Sequence, residues 1–109
     1  GCFVTKIFKR EYYDKILITL EGHSGYGAKG NDIVCAGVST LACNFINCMK
    51  DEEADGRIKL HKCIIRDGYV HFEIEIFDFA KERLEGVIES FMKGLYMLSE
   101  EYPQYVKFE

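Results

Sequence analysis

The sequence lacks the features that would place it in a membrane or outside the cell. No apolar run approaches the roughly 18 residues that a bilayer-spanning helix needs, and the first residues do not have the charged, apolar and small-residue order of a signal peptide. We therefore expect a cytoplasmic protein without a membrane partner. A basic excess is also missing, since 14 basic and 18 acidic residues give a net charge of −4. Nucleic acid is not an expected direct partner, because no basic stripe is available to neutralise phosphates.

Cysteine pairs with disulfide or metal-site spacing are missing as well. The five cysteines are odd in number and include no CxxC motif, which argues against a disulfide framework. A zinc site built from His23, Cys35, His61 and Cys63 would contain one close ligand pair, His61 with Cys63, whereas structural zinc favours two. We expect no metal and no cofactor. Most free cysteines are small core hydrophobes, and only Cys35 stands where chemistry is favoured.

Hydrophobic periodicity organises the first half of the chain. Alternating apolar residues predict strands over residues 2–9 and 15–21, with a turn at 10–14 between them. Residues 32–50 then predict a helix whose apolar residues cover most of its circumference, which is typical of a buried helix. With no linker and no repeat, residues 1–109 are expected to form a single domain.

The second half of the chain predicts a hairpin and an amphipathic helix. Asp67 and Gly68 stand between two alternating segments and favour a type I′ turn. Residues 79–100 carry an apolar stripe at helical spacing, which Asp78 can cap, and residues 105–108 add a short edge strand. The order β-β-α-β-β-α-β predicts an α+β domain in which two helices pack on an antiparallel sheet.

The hairpin register predicts a contact on the outer face of the sheet. Pairing across the turn aligns Ile65 with Val70 and Cys63 with Phe72. It leaves Leu60 and Ile64 on the face that also carries His71, Glu73 and Glu75. One strand of that face is apolar and the other polar. We therefore expect a second subunit to bury part of it.

Residues 22–39 hold the groups best suited to chemistry. His23 ends the second strand, and Cys35 falls in the first turn of the predicted helix, which Asn31 or Asp32 can cap. The unpaired N–H groups and the macrodipole at a helix N-terminus favour a thiolate. Cys35 is therefore a candidate nucleophile and His23 its base, while free N–H groups of the helix start or the glycine loop can hold an oxyanion.

Residues around this pair keep more than one interpretation. Asp32 either orients His23 or serves only as a helix cap. Ser39 follows Cys35 by one helical turn, so it lines the site or bonds back to the helix backbone. Gly22 is a further lining candidate. The glycine-rich run lacks the GK[ST] ending of a P-loop and does not match GxGxxG, which excludes a phosphate loop.

The segment after His23 is a candidate substrate loop. Its glycines give it little preference for helix or strand, so it can open and close. The loop consists of Ser24, Gly25, Tyr26, Gly27, Ala28, Lys29 and Gly30.

The run GHSGYGAKGNDIVCAGVS closely resembles the signature of the bacterial ribosomal-processing cysteine proteases, the Prp family. In that signature a GH pair and a small-residue loop precede D-[IV]-[VL]-C-A-[AG]-[VI]-S. The matching positions are Gly22, His23, Gly30, Asp32, Ile33, Val34, Cys35, Ala36, Gly37, Val38 and Ser39. The opening strands, the closing helix and the chain length agree as well, so the resemblance covers nearly the whole domain.

The resemblance implies a homodimeric α+β endopeptidase in which His23 and Cys35 form the catalytic dyad. Its implied partner is the precursor of a large-subunit ribosomal protein, from which the family removes a short N-terminal extension beside an aromatic residue. Such a substrate would bind in extended form while the loop at 24–30 opens and then orders over it.

Two other functions remain open from the sequence. A ribosome-associated binding module could keep the fold without catalysis. A thiol-transfer protein could use Cys35 with a distant partner such as Cys43 or Cys63.

Overall fold

The computed structural model describes residues 4–22, 33–66 and 68–109. Its elements are β1 (Thr5–Glu11), β2 (Lys15–Glu21), α1 (Ile33–Ala54), β3 (Ile58–Arg66), β4 (Tyr69–Ile76), a 3₁₀ turn (Asp78–Ala80), α2 (Lys81–Glu101) and β5 (Val106–Phe108). The strands form a sheet in the order β3-β4-β2-β1-β5, and both helices pack on one of its faces. The predicted α+β architecture is confirmed.

Three phenylalanines join the two helices to the sheet. The rings of Phe45 on α1 and Phe91 on α2 are stacked with their centroids 4.2 Å apart. The Phe72 ring, on β4, meets Phe45 edge-on at 5.1 Å. Around them lie the alternate residues of the central strands that the sequence places on one face, namely Ile16, Ile18, Leu20, Val70 and Ile74. The period-two pattern of these strands therefore identifies the core side of the sheet.

The outer-face prediction for β3 is wrong at Leu60. The pairing of Cys63 with Phe72 and of Ile65 with Val70 is confirmed, but a β-bulge between Leu60 and Lys62 shifts the register. Leu60 therefore pairs with Ile74 and packs against the core. An extra residue in one strand reverses the face of every side chain beyond it. Ile64 stays on the outer face, opposite His71.

Helix α1 is one turn longer than predicted because its last turn is held by side-chain contacts. Glu52 is 5% exposed although it carries a charge. Its carboxylate accepts hydrogen bonds from Arg83 at 2.9 and 3.1 Å and from Arg57 at 3.3 Å. Those hydrogen bonds join the end of α1 to the start of β3 and to α2, and they hold the pKa of Arg83 above its usual value.

The predicted cap at Asp78 is also wrong. Asp78 begins the 3₁₀ turn, and the residue at the N-cap of α2 is Ala80, which makes no side-chain capping bond. The Asp78 carboxylate instead accepts a hydrogen bond from the Tyr13 hydroxyl at 3.1 Å and pairs with Lys81 at 3.3 Å. A carboxylate so engaged is no longer directed at the helix N–H groups.

The first and last strands lie side by side. β1 continues two residues beyond its predicted end, because Glu11 still pairs with Ile16 before the turn at Tyr12. β5 pairs with β1 in the parallel sense, Thr5 opposite Val106. Parallel neighbours need a long crossover, and here nearly the whole chain forms it.

One side of α1 is not covered by the other residues that the structure describes. Ala36, Thr40, Cys43 and Asn47 recur at three- and four-residue steps, and all four are exposed. The most apolar stretch of α1 is only 39% buried, so the prediction of a helix buried all round is wrong for the single chain. By length and composition alone, α1 is the one helix among the described residues that could cross a bilayer, which corrects the expectation that none could. Core helices meet the same criterion, and α1 packs on the sheet and on α2.

We expect Phe45→Ala to lower the free energy of unfolding by about 3–5 kcal/mol, because it removes a buried ring and leaves a cavity among the three phenylalanines. Phe79→Ala is the matched control, since Phe79 is 76% exposed, and should change stability by less than about 0.5 kcal/mol. Urea unfolding followed by circular dichroism measures both. Equal effects for the two variants would contradict the packing described above.

Candidate active site

Cys35 lies in the first turn of α1, which begins at Ile33. Cys35 is 7% exposed and lines a small cavity of about 20 Å³. The other described residues that line this cavity are Thr5, Leu20, Gly22, Val38, Gly68, Tyr69 and Val70. A cavity of this size has room for about one water molecule. The described residues alone therefore form no side-chain pocket beside the thiol.

Strand pairing brings the cavity residues together. β2 and β4 are antiparallel neighbours, with Glu21 opposite Tyr69. The N–H of Gly22 then donates to the carbonyl oxygen of Gly68 at 3.0 Å. The end of β2 and the β3–β4 turn thus meet beneath the start of α1. Thr5 joins them on the core side, since β1 pairs with β2 on the other flank.

Besides Leu20, Val38 and Val70, three further cavity residues were not predicted to belong to the site, namely Thr5, Gly68 and Tyr69. The glycine of the Asp67-Gly68 turn was identified, but only as part of a hairpin. The pairing of β2 with β4 decides that this turn lies beside Gly22. No local pattern specifies which strands of two separate hairpins become neighbours, so sequence periodicity gave no signal for these three residues.

The helix start provides a favourable setting for an anion at Cys35. The described first turn of α1 contains no acidic residue. The helix macrodipole favours negative charge at this end of α1. Cys63 has a different environment, because partial burial raises the pKa of its thiol, with a smaller opposing effect from Lys50. Cys63 is therefore a poor nucleophile at neutral pH.

The two histidines within the described residues lie on the wrong face to serve Cys35. His71 shares a 2.8 Å hydrogen bond with the Thr19 hydroxyl on the outer face of the sheet. His61, on the same face, shares a 2.7 Å hydrogen bond with Glu75, which lowers the pKa of that carboxyl. Cys35 is on the side of the helices. Within the same ranges, no three His, Cys, Asp or Glu side chains are grouped to hold a metal ion.

Several predicted site residues lie outside the described ranges. They are His23, the capping candidates Asn31 and Asp32, and the substrate loop of residues 24–30. Ser39 is described: it lies one turn after Cys35 and is half-buried, but it is not among the described residues lining the cavity. Of the residues predicted to form the site, the structure brings Gly22 and Cys35 to one cavity.

Comparison with known proteins identifies the family. The family model described as cysteine protease Prp matches residues 4–107. The chain belongs to this family. A protein of Staphylococcus aureus (strain Mu50 / ATCC 700699) named ribosomal processing cysteine protease Prp is 25% identical over 93 residues, which cover 83% of this chain and 81% of that protein.

Solved structures share the fold of the chain. The crystal structure of SMU.848 from Streptococcus mutans is 27% identical and has a TM-score of 0.66, covering 100% of this chain and 93% of that one. The fold is also shared with an essential ribosomal processing protease Prp from S. aureus in complex with a substrate peptide. That protein is 21% identical, with a TM-score of 0.65 and coverage of 98% and 97%.

Gly22 is fixed in this Prp chain by a close backbone approach. Its φ is +82°, in the left-handed region. A Cβ at this position would stand 2.5 Å from the carbonyl oxygen of Val4, a backbone atom that cannot rotate away. Only glycine meets both conditions. The residue that precedes His23 is therefore determined by the packing of β1 against the end of β2.

We expect Gly22→Ala to destabilise the protein more than Gly56→Ala. Gly56 also has positive φ, +76°, but a Cβ there would meet nothing within 4 Å. The control therefore isolates the cost of the backbone conformation, about 1–2 kcal/mol. Gly22→Ala carries the additional clash with Val4. Urea unfolding of both variants measures the difference, and equal losses would show that the clash is relieved at no cost.

Proposed function

We propose that the chain is a cysteine endopeptidase in which Cys35 is the nucleophile and His23 the base. The observation that carries the proposal is the position of Cys35, in the first turn of α1 and facing a cavity that Gly22 also lines. His23 directly follows Gly22 in the chain, and this sequence neighbourhood supports its assignment as the base. Family membership supplies the reaction class.

The proposed reaction has two steps. The Cys35 thiolate attacks the scissile carbonyl carbon, and N–H groups stabilise the oxyanion that forms. The imidazolium of His23 then gives a proton to the leaving amine, which leaves an acyl-enzyme that water hydrolyses. Asp32 either orients His23 or caps α1, and the loop at 24–30 closes over the extended peptide. A covalently linked product peptide is present in a structure of the S. aureus protease, and a thioester intermediate gives such a link a chemical basis.

We propose the precursor of a large-subunit ribosomal protein as the substrate, cut beside an aromatic residue to remove an N-terminal extension. The support is the shared signature at residues 22–39 and the ribosomal processing named for the S. aureus relative. The proposed location is the cytoplasm, where thiols stay reduced and ribosomal proteins are made.

We further propose that the protein works as a homodimer through the uncovered side of α1. The exposed stripe of Ala36, Thr40, Cys43 and Asn47 has little charge. On β3, a strand that α1 contacts, Ile65 is 47% exposed. The exposed side of this apolar helix would be buried, with a gain in stability, by the same surface of a second copy. This surface replaces the outer face around Leu60 and Ile64 that the sequence favoured.

Cys35→Ala should abolish cleavage of the ribosomal protein precursor while leaving the protein folded. Loss of an essential nucleophile costs several orders of magnitude in rate, whereas replacing one thiol in a small cavity costs little stability. Cys48→Ala, at a half-buried position of the same helix outside the exposed stripe, is the control and should keep full activity. Mass spectrometry of the precursor after incubation detects the cut.

Two outcomes would contradict the proposed protease activity of Cys35. Cleavage by Cys35→Ala would remove Cys35 from the reaction, and failure of the wild type to cut any extended precursor would favour a ribosome-associated binding module instead. Alkylation with iodoacetamide gives a second measurement. Cys35 should react faster than Cys63, whose thiol pKa is raised, and His23→Ala should change only the Cys35 rate.

The dimer is tested by Thr40→Arg, which places a charge in the middle of the exposed stripe on α1. Light scattering of the wild type at micromolar concentration should give about twice the mass of the single chain, and the variant should give the single-chain mass. Glu82→Arg, on an exposed position of α2, changes the charge elsewhere and should remain dimeric. A wild-type protein that stays monomeric over the whole micromolar concentration range would refute the dimer.

A further inference from the structure

A large cleft in the described part of the chain is far from Cys35. It has a volume of about 500 Å³ and lies between the β1–β2 turn, the end of β4 and the first half of α2. Lys15 and Ile16, at the start of β2, line it, whereas Gly22, just after the end of β2, lines the Cys35 cavity. At about 3.3 Å per strand residue, the two sites are roughly 20 Å apart.

The cleft has an apolar floor and an ordered aromatic rim. Ile16 and Ile88 form part of the floor, and Met92 extends it. Tyr13 at the rim is 81% exposed, yet both ends of its side chain are held. The Lys81 ammonium lies 3.1 Å from its ring centroid, and its hydroxyl donates to Asp78. A volume of this size is typical of ligand sites, and a fixed rim reduces the entropy that binding would cost.

The cleft has unbalanced negative charge. Each lysine that lines it already faces a carboxylate: Lys9 lies 2.6 Å from Glu11, Lys15 lies 3.5 Å from Glu73, and Lys81 lies 3.3 Å from Asp78.

The remaining carboxylates of the cleft have no such partner. Asp14, Glu85 and Glu89 make no side-chain ion pair or hydrogen bond within the described ranges. Glu85 and Glu89 are also four residues apart on α2, where like charges repel each other. An occupant with positive charge would relieve that repulsion.

We propose that this cleft is a second binding site, which holds a basic segment of the protein substrate. Lysine or arginine side chains fit its chemistry, since their aliphatic stems can lie on Ile16, Ile88 and Met92 while their cationic heads reach Glu85 and Glu89. The inference rests on the proposed function for its occupant. A protein that binds ribosomal RNA must carry basic segments to neutralise phosphates, and this chain carries a net charge of −4.

The distance between the sites sets the length of substrate required. An extended peptide spans at most about 3.6 Å per residue, so a segment must continue at least six residues or so beyond the scissile bond to reach the cleft. Binding energy gained there is remote from the reacting carbonyl. It therefore improves capture of the whole precursor and does nothing for a short peptide.

The test compares two substrates in two charge-reversed proteins. Glu85→Lys with Glu89→Lys removes the proposed contacts, while Glu82→Lys with Glu100→Lys makes the same change of charge on α2 at exposed positions outside the cleft. For the ribosomal protein precursor, the first protein should lose about tenfold in kcat/KM through a higher KM. A peptide ending about four residues after the scissile bond should be cut equally by both. Equal kcat/KM of both proteins on the precursor would overturn the inference while leaving the protease intact.

Direct binding separates this inference from the proposed function. Fluorescence anisotropy with a labelled peptide of alternating lysine and leucine, about twelve residues long, needs no cleavage. Wild-type protein and the control should bind it, and they should bind more weakly as salt is raised. Glu85→Lys with Glu89→Lys should not bind. If the peptide binds as expected but no precursor is ever cut, the second binding site is supported and the proposed protease activity is rejected. If the wild-type protein does not bind the peptide, the second binding site is refuted.

Discussion

The contact of Phe45 with Phe91 and Phe72 is the interaction on which the rest of the structure depends. It fixes α1 and α2 against the same strand at distances that leave no freedom for either helix to slide. The position of the first turn of α1 follows, because a helix is rigid along its axis. Cys35, ten residues before Phe45, is therefore positioned over the end of β2 by packing deep in the core.

The central strand β2 runs between two sites at opposite ends of the molecule. Its start forms part of the acidic cleft, and Gly22, directly after its end, lies beside the thiol. Among the described residues, the two sites share one rigid element but no side chain. A protein of this size can thus bind a long, extended substrate at two points without any hinge between them.

Much of this fold was readable from local patterns. The alternation in β2 and β4 identified the core face, and the glycine of the hairpin turn, Gly68, has the positive φ that the sequence predicts. Gly22 and Cys35, both predicted as site residues, line the same cavity. The predictions that were wrong concern features that depend on long-range contacts. The bulge at Leu60, the extension of α1 by Glu52 and the use of Asp78 by Tyr13 each involve partners distant in sequence, which no periodicity records. The same holds for Tyr69 beside Cys35, which follows from the choice of β4 as the neighbour of β2.

The parallel pairing of β5 with β1 has a consequence for synthesis. β1 is made well before β5, and one of its edges receives its hydrogen bonds from Val106–Phe108 and from the N–H of Glu109 to the oxygen of Ile7. That edge stays open until β5 has been made. An unpaired edge is a surface on which other chains can add, so β1 is exposed while both helices and the strands β2, β3 and β4 are synthesised.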